Sequence, residues 1–405
     1  MPTTYYVFTH RKYFQQNIEV VPKVLNIMTL LDLNCSTLIL HEPGILDQIG
    51  AYASSWSCCR ALIVSDPGIV ATGHPQRAIQ YLQQAGIQTQ LFTDVHENPT
   101  TDDVQRGVEI AKEFQPDLLI GLGGGSSMDC AKGINFLYCG GGQMQDYWGI
   151  GKATEPMLPM IAIPTTAGTG SETQSFALIS DAKTHTKMAC GDKKATCKLA
   201  ILDPELTLTQ PAHVTALTGI DALAHAVETY VTTKRTEISI DYSRRAWELL
   251  SVNFIKVIDD SNDLEARSAM QLGACLAGLA IENSMLGAAH ALANPLTAHF
   301  DVVHGQAVAS MLPHVIRFNA QSMESQYSQL ASATNAVPGN DSEALATFIT
   351  EIMQRSGLAT RLEPQGVNAD QLPMLAADAA KQWTARFNPR TVEVEDLLTL
   401  YQQAF

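Results

Sequence analysis

The sequence predicts a two-domain protein in which an α/β domain with a doubly wound parallel sheet precedes an all-helical domain. The chain of 405 residues is longer than one ordinary hydrophobic core accommodates. Short apolar runs alternate with helical patterns from residue 36 to about residue 204, and only helical patterns follow. We therefore expect domains at residues 1–208 and 209–405, with the boundary in the segment 206–211.

In the first domain, most predicted strands are short apolar runs, and the strand 61–64 ends at a turn signal, Ser65-Asp66-Pro67-Gly68. Strands that alternate with helices indicate parallel strands joined by crossover helices. The predicted strands are 37–40, 61–64, 88–92, 117–120 and 159–163, with a last strand signal at 200–204. The predicted helices are 76–85, 102–114, one that follows a turn within 43–52, and one that begins near Ser126.

The second domain shows only helical periodicity. Its predicted helices are 213–232, 238–257, 264–281, 288–298 and 306–317, with further helices in the tail. Near the start of the chain, residues 24–33 follow Pro22 and have the pattern of a short amphipathic helix, to which we assign no function.

Composition and charge exclude several classes of function. Hydrophobic residues make up 46% and charged residues 17% of the chain, as in a compact protein. The net charge of −15 disfavours nucleic acid as a partner, because phosphate binding needs a basic surface. We see no apolar run of membrane-spanning length and no signal peptide. With eight scattered cysteines, which we expect to be reduced, a cytoplasmic protein is the simplest interpretation.

A glycine-rich loop follows the predicted strand 117–120. Gly121, Gly123, Gly124 and Gly125 precede a helix that begins near Ser126. Glycines allow a ligand to approach the free N–H groups at a helix N-terminus, which suits a pyrophosphate. A simple tight turn is the alternative for such a loop by itself. Further polar loops favour the nucleotide hypothesis, because Asp66 ends an earlier strand and 98–100 and 164–172 follow others.

A second group of residues has the composition of a metal site. Asp221 and His225 lie four residues apart in an alanine-rich helical segment, so both project from one face. His290 and His304 lie in and after a second such segment. Each histidine alone is more often a core or surface residue than a metal ligand. One carboxylate and three imidazoles in apolar surroundings are better explained by a divalent transition metal.

Taken together, these motifs resemble the iron-containing (group III) alcohol dehydrogenases over roughly residues 36–405. The resemblance rests on the segments 123–129, 164–172 and 219–228, on His290 with His304-Gly305, and on Asn388-Pro-Arg390. It implies a dehydroquinate synthase-like two-domain fold, with the metal and substrate bound between the domains. The implied reaction transfers a hydride between a small primary alcohol, or its aldehyde, and NAD. It also implies a homodimer or larger assembly.

The resemblance further implies a role for individual residues. Asp221, His225, His290 and His304 match the metal ligands, with Fe²⁺ expected and Zn²⁺ possible. Asp66 matches the position whose carboxylate favours NAD over NADP, and Lys187 matches a lysine that reaches the nicotinamide ribose. The remaining cofactor residues implied are Asn98, Gly123, Gly124, Gly125, Ser126, Asp129, Thr165, Thr166 and Thr169.

One position departs from the family pattern. Where relatives commonly carry a further histidine four residues after His290, this chain has Asn294. An amide does not titrate near neutral pH, so a proton relay through this position is lost. We expect His290 and Asn294 to be the catalytic positions. Two other hypotheses stay open: a polyol dehydrogenase or dehydroquinate-synthase-like lyase on the same fold, and a non-catalytic protein that keeps the fold for assembly.

Overall fold

The computed structural model describes residues 35–184 and 186–405. The helix expected at 24–33 lies outside these ranges. The chain divides into two compact units. Of the described residues, the first unit comprises those up to Thr165 together with Ser171–Thr209, and the second comprises Thr166–Gly170 and Gln210–Phe405.

The first unit contains the strands of the described structure. Six of them form one sheet in the order β1-β9-β6-β4-β2-β3, and every neighbouring pair is parallel. The expected doubly wound parallel sheet is thereby confirmed. In chain order the strands are β1 (Leu38–His41), β2 (Arg60–Val64), β3 (Gln88–Phe92), β4 (Leu118–Gly123), β5 (Gly149–Ile150), β6 (Met160–Pro164), β7 (Phe176–Ser180), β8 (Lys187–Gly191) and β9 (Leu199–Leu202).

The large sheet is covered on both faces, which explains its apolar strands. Every residue of β4, β6 and β9 is buried. Alternate residues of β4 face opposite sides, so that Leu119 packs in one core cluster and Ile120 in the other. The helices of this unit are α1 (Ile49–Ser55), α2 (Pro67–Ala71), α3 (His74–Gln84), α4 (Thr101–Phe114) and α5 (Gly125–Gly140).

Two features of this unit differ from the sequence prediction. The expected turn at residues 65–68 continues into the short helix α2, because Asp66 caps it and Pro67 suits the first helical position. A second sheet, ordered β5-β8-β7, was not expected at all. β7 is apolar at four of its five positions, but it pairs antiparallel with β8, outside the alternation of strands and helices that predicted the large sheet.

The second unit is helical, and residues 210–405, all of which the structure describes, contain no strand. This confirms the all-helical second part. Expected helix 306–317 is instead part of a longer one that runs to Ser332 with a kink at Met323. The helices are α6 (Ala212–Val231), α7 (Glu237–Asp259), α8 (Leu264–Glu282), α9 (Ala288–Phe300), α10 (His304–Ser332), α11 (Ser342–Arg355), α12 (Leu372–Ala379) and α13 (Val394–Ala404).

None of the helices in the described ranges is both long enough and apolar enough to cross a membrane. All eight cysteines lie within those ranges and are free thiols.

Candidate active site

The glycine-rich loop lies where β4 runs into α5, at the carboxyl edge of the large sheet. Gly123 has φ of 150°, a conformation that side chains disfavour, and a Cβ there would overlap Ser127 Oγ. Gly124 precedes α5, and no side chain caps this helix end. The first backbone N–H groups of α5 are therefore available to an anion such as a pyrophosphate.

Asp66 lies directly beside this loop. Its Oδ1 accepts a hydrogen bond from the Ile69 N–H at 3.0 Å, and its Oδ2 accepts one from Ser127 Oγ at 3.2 Å. A Cβ on Gly123 would lie 3.2 Å from the same Oδ2. The carboxylate is thus held at the end of β2 next to the end of β4, as expected for a group that contacts a ribose.

The hairpin formed by β7 and β8 brings Lys187 to the same loop. Lys187 Nζ donates to Asn98 Oδ1 at 3.2 Å, and the Asn98 N–H donates to Ser126 Oγ at 3.3 Å. Asn98 itself has a positive φ of 53°. Residues predicted separately as cofactor contacts are therefore neighbours, although 28 residues separate Asn98 from Ser126 and 89 separate it from Lys187.

The three threonines of the second polar loop fall in different units. The Thr165 N–H donates to the Gly123 carbonyl at 3.0 Å, and its buried Oγ1 has no hydrogen-bond partner in the described structure. Thr166 and Thr169 belong to the second unit. Close backbone packing at Gly170 holds their segment, since a Cβ there would lie 2.5 Å from Gly278 Cα on α8.

Asp129 binds protein groups with both carboxylate oxygens. Ser171 Oγ donates to Oδ1 at 2.5 Å and the Leu178 N–H donates to Oδ2 at 3.2 Å, and burial raises its pKa. Nearby, the buried Lys132 Nζ donates to the carbonyl oxygens of Ser171, Gln174 and Phe176. These contacts give no support to the expected cofactor contact of Asp129, and indicate that both side chains fix the segment 171–178 against α5.

In the second unit, three of the expected metal ligands approach one oxygen of the fourth, Asp221 Oδ1. His225 Nε2 and His290 Nε2 each lie 3.4 Å from it, and His304 Nε2 lies 3.8 Å from it. Ligands of one tetrahedral ion at 2.0–2.1 Å are separated by about 3.4 Å. The ligand atoms of Asp221, His290 and His304 also lie within 4.8 Å of one another.

Helix packing explains this convergence. Asp221 and His225 project from one face of α6, His290 lies in the first turn of α9, and His304 begins α10. Gly305 lets α10 start directly against α6, because a Cβ at that position would overlap the Leu217 carbonyl oxygen. No side chain larger than hydrogen fits there, so His304 is held near the α6 ligands.

Burial distinguishes the four side chains. The side chains of Asp221, His225 and His290 are 4–6% exposed, whereas that of His304 is 28% exposed. Catalytic metal sites keep one position open to solvent or substrate. The cluster therefore has an accessible side at His304.

The sequence prediction did not identify Glu228 as a partner of the ligands. His290 Nδ1 donates to Glu228 Oε2 at 2.6 Å, and both side chains are buried. A proton on Nδ1 leaves Nε2 free to bind a cation, which is the usual arrangement of a carboxylate behind a metal-binding histidine. The available signal was spacing, because Glu228 follows Asp221 by seven residues on the same face of α6.

The electrostatics of the cluster favour a cation. Although burial opposes both shifts, the neighbouring imidazoles hold the pKa of Asp221 well below its usual range, and Glu228 with Asp221 raises the pKa of His290 to about 9. Asp221 Oδ1 and His290 Nε2 are buried without a hydrogen bond in the described structure. Polar atoms buried in this way are costly unless a ligand satisfies them. The donor set, its spacing and its charge all fit a divalent ion.

Asn294 lies one helical turn after His290 on α9. Its Nδ2 donates to Gln382 Oε1 at 3.0 Å. Thr297 Oγ1, also on α9, donates to the Val302 carbonyl and so ties this helix to the segment that leads into His304. The expected catalytic role of Asn294 stays a prediction.

Comparison with known proteins identifies the family. The model of iron-containing alcohol dehydrogenases matches residues 36–204, and the C-terminal model of the Fe-containing alcohol dehydrogenase family matches residues 215–405. The chain belongs to the iron-containing alcohol dehydrogenase family. This confirms the resemblance seen in the motifs and the expectation of an oxidoreductase of the alcohol dehydrogenase type.

Individual relatives cover almost the whole chain. The NAD-dependent methanol dehydrogenase of Bacillus methanolicus is 32% identical over 89% of this chain and 96% of its own length. The choline dehydrogenase of Bacillus subtilis is 34% identical over 91% of this chain and 94% of its own. A crystal structure of a 1,3-propanediol oxidoreductase superposes with a TM-score of 0.87 at 30% identity, covering 91% of this chain and 97% of that one. These comparisons give no support to the lyase alternative.

Proposed function

We propose that this protein is an NAD-dependent and metal-dependent dehydrogenase that interconverts a small primary alcohol and its aldehyde. Asp221, His225, His290 and His304 would hold the metal ion. The convergence of three imidazole Nε2 atoms on the buried Asp221 Oδ1, at 3.4–3.8 Å, is the observation that carries this proposal. The relatives named above support the substrate class, since two of them are named for methanol and 1,3-propanediol.

A divalent ion in this cluster would supply Lewis acidity, which lowers the pKa of an alcohol hydroxyl or polarises an aldehyde carbonyl. The surrounding side chains of the protein would orient the ligands and balance the charge of the ion. Glu228 keeps the His290 proton on Nδ1, and Asp221 with Glu228 supplies two negative charges that balance a divalent cation. The side chains of Asp221, His225 and His290 are buried and shield the cluster from water, while His304 is partly exposed.

The first unit would bind NAD. The open N-terminus of α5 suits the pyrophosphate, and Asp66 suits a ribose with a free 2′-hydroxyl because its negative charge repels the 2′-phosphate of NADP. Lys187 and Asn98 would border the same site.

Iron is proposed as the ion on family grounds. Three imidazoles and one carboxylate do not select Fe²⁺, because Zn²⁺ binds such ligands more tightly than Fe²⁺ does. The supply of metal would therefore decide which ion is bound.

Anaerobic NADH production by Fe²⁺-loaded protein tests this function. The panel comprises methanol, ethanol, 1-propanol, 1,3-propanediol and choline, with His290→Ala as the control. We expect turnover of at least one alcohol that disappears in the control. A fully loaded protein that reduces NAD⁺ with none of these alcohols, and oxidises NADH with none of their aldehydes, would contradict the proposal.

A further inference from the structure

The N-terminus of α9 is satisfied by side chains from distant parts of the second unit. Gly287 precedes the helix and offers no side chain of its own as a cap. Glu228 Oε2 accepts the Gly287 N–H at 3.1 Å, and its Oε1 accepts the Ala289 N–H at 2.7 Å. Asn388 Oδ1 accepts the intervening Ala288 N–H at 3.3 Å. Three successive N–H groups at the helix start are therefore bonded, where a helix normally leaves such groups without an intrahelical partner.

Glu228 joins this cap to the metal cluster. The oxygen that accepts the Gly287 N–H also accepts His290 Nδ1–H at 2.6 Å. One carboxylate thus fixes both the helix end and the imidazole that projects from its first turn. A negative charge at a helix N-terminus is also favourable to the helix dipole.

Asn388 is held in place by bonds on its other side. Its Nδ2 donates to Asn319 Oδ1 at 2.7 Å and to the Arg390 carbonyl at 2.6 Å, and Asn319 Nδ2 donates back to Asn388 Oδ1 at 2.9 Å. Arg390 donates to the Phe318 carbonyl and lies over the Phe318 ring. The Asn388-Pro-Arg390 motif therefore connects the end of the chain to α10 and, through one amide oxygen, to α9.

Gly287 lies between the two capping side chains. A Cβ on Gly287 would lie 3.1 Å from Glu228 Oε1 and 3.2 Å from Asn388 Oδ1. Both distances are shorter than an ordinary contact, so a side chain at this position would press on both capping groups. The first turn of α9 is consequently held from two sides.

We propose that Glu228 and Asn388 are positioning residues for the metal ligand His290. Glu228 fixes the tautomer and ring orientation of His290 directly, and Asn388 fixes the helix turn that carries it. The inference rests on the metal site of the proposed function. It gives the Asn388-Pro-Arg390 motif a role in metal binding, although it contributes no ligand.

Metal affinity of the metal-free protein tests this proposal without any measurement of turnover. Co²⁺ binding is measured by competition with a chelator, and the visible spectrum of bound Co²⁺ reports ligand geometry. We expect Glu228→Gln to weaken Co²⁺ binding roughly 10- to 100-fold, as loss of such a partner typically does. The Gln amide nitrogen would face an N–H donor on one side, which breaks part of the cap. Asn388→Ala, which leaves Glu228 in place, should weaken binding less and alter the spectrum.

Asn135→Ala is the matched control. Asn135 is a buried asparagine of α5 that bonds both backbone polar groups of Leu158, so its loss lowers stability without touching the second unit's ligands. It should leave the Co²⁺ affinity and spectrum unchanged. Wild-type affinity and spectrum in both Glu228→Gln and Asn388→Ala would overturn the inference, and Asn388→Ala alone decides it if Glu228→Gln does not fold. Failure of the wild-type protein to bind Co²⁺ would instead contradict the metal site itself.

Discussion

The helices α5 and α9 both begin after a glycine, but their first N–H groups differ in whether side chains bind them. At α5 the glycines remove side chains, and no cap occupies the first N–H groups. At α9, Glu228 and Asn388 occupy three successive N–H groups. An open helix end leaves donors for an anionic ligand, whereas a filled one fixes the side chain in its first turn. In the proposed function, the same backbone feature would bind a cofactor in one unit and position a metal ligand in the other.

The largest effect is expected from closing the open helix end. Gly123→Ala places a Cβ on Ser127 Oγ and beside Asp66 Oδ2 in a backbone conformation that alanine disfavours. The added methyl group would displace the cofactor from the N–H groups of the loop. NADH affinity should therefore fall by about 10-fold or more, which corresponds to a loss of about 1.4 kcal/mol of binding free energy for each tenfold. NADH fluorescence titration measures this.

Gly141→Ala is the control for that experiment. Gly141 ends the same helix with φ of 69°, and a Cβ there meets no atom within 4 Å. Gly141→Ala therefore introduces an alanine at positive φ, as Gly123→Ala does, but without a contact between the new methyl group and the glycine-rich loop. Equal loss of NADH affinity in both variants would show that strain, and not the open helix end, explains the effect.

A smaller effect is expected from removing charge beside the open end. Asp66→Asn keeps one oxygen that can cap α2, and its amide nitrogen can donate to Ser127 Oγ, while the substitution removes the negative charge that repels a 2′-phosphate. We expect kcat/KM for NADP to rise relative to that for NAD by about 10-fold. Steady-state kinetics with both cofactors measure the ratio, and an unchanged ratio would remove Asp66 from cofactor selection.

The smallest effect is expected from removing a helix N-cap that is distant in sequence from the predicted cofactor and metal residues. Asp341 caps α11 by accepting the Ala344 N–H at 2.8 Å. Asp341→Ala should cost about 1 kcal/mol of stability, seen as a drop in Tm of about 2–4 °C. Co²⁺ and NADH affinities should be those of the wild type, in contrast to the cap on α9. A loss of Co²⁺ affinity here would mean that any cap loss weakens the metal site.

Strands and ligand pairs could be predicted from the sequence where the residues that define them are close together in the chain. Most strands of the large sheet were visible because they are short, mostly apolar runs, as in β4 and β9. The more polar β3 was found from its place in the alternation of strands and helices. The small sheet was not predicted, because β7 pairs antiparallel with β8 and β5 is only two residues long, so neither fits the alternation of parallel strands and helices. Asp221 and His225 were found because their spacing of four already places them on one helix face.

Partners that are distant in sequence were beyond such an analysis. Glu228 meets the His290 ring 62 residues away, and Asn388 meets the Ala288 N–H 100 residues away. Lys132 was similarly unremarked, although its ammonium is buried among carbonyl oxygens about 40 residues further on. Only tertiary packing determines which groups such side chains contact. The recognised motifs therefore contained Glu228 and Asn388 without revealing their contacts.

Anaerobic titration of metal-free protein with Fe²⁺, with NADH production followed at each addition, tests the central claim most directly. The account predicts no activity without metal and a linear rise that ends at one ion per chain, because the four ligands form one site. In His304→Ala the rise should be shallower and should not reach the same plateau. Full activity in the metal-free protein would contradict the account.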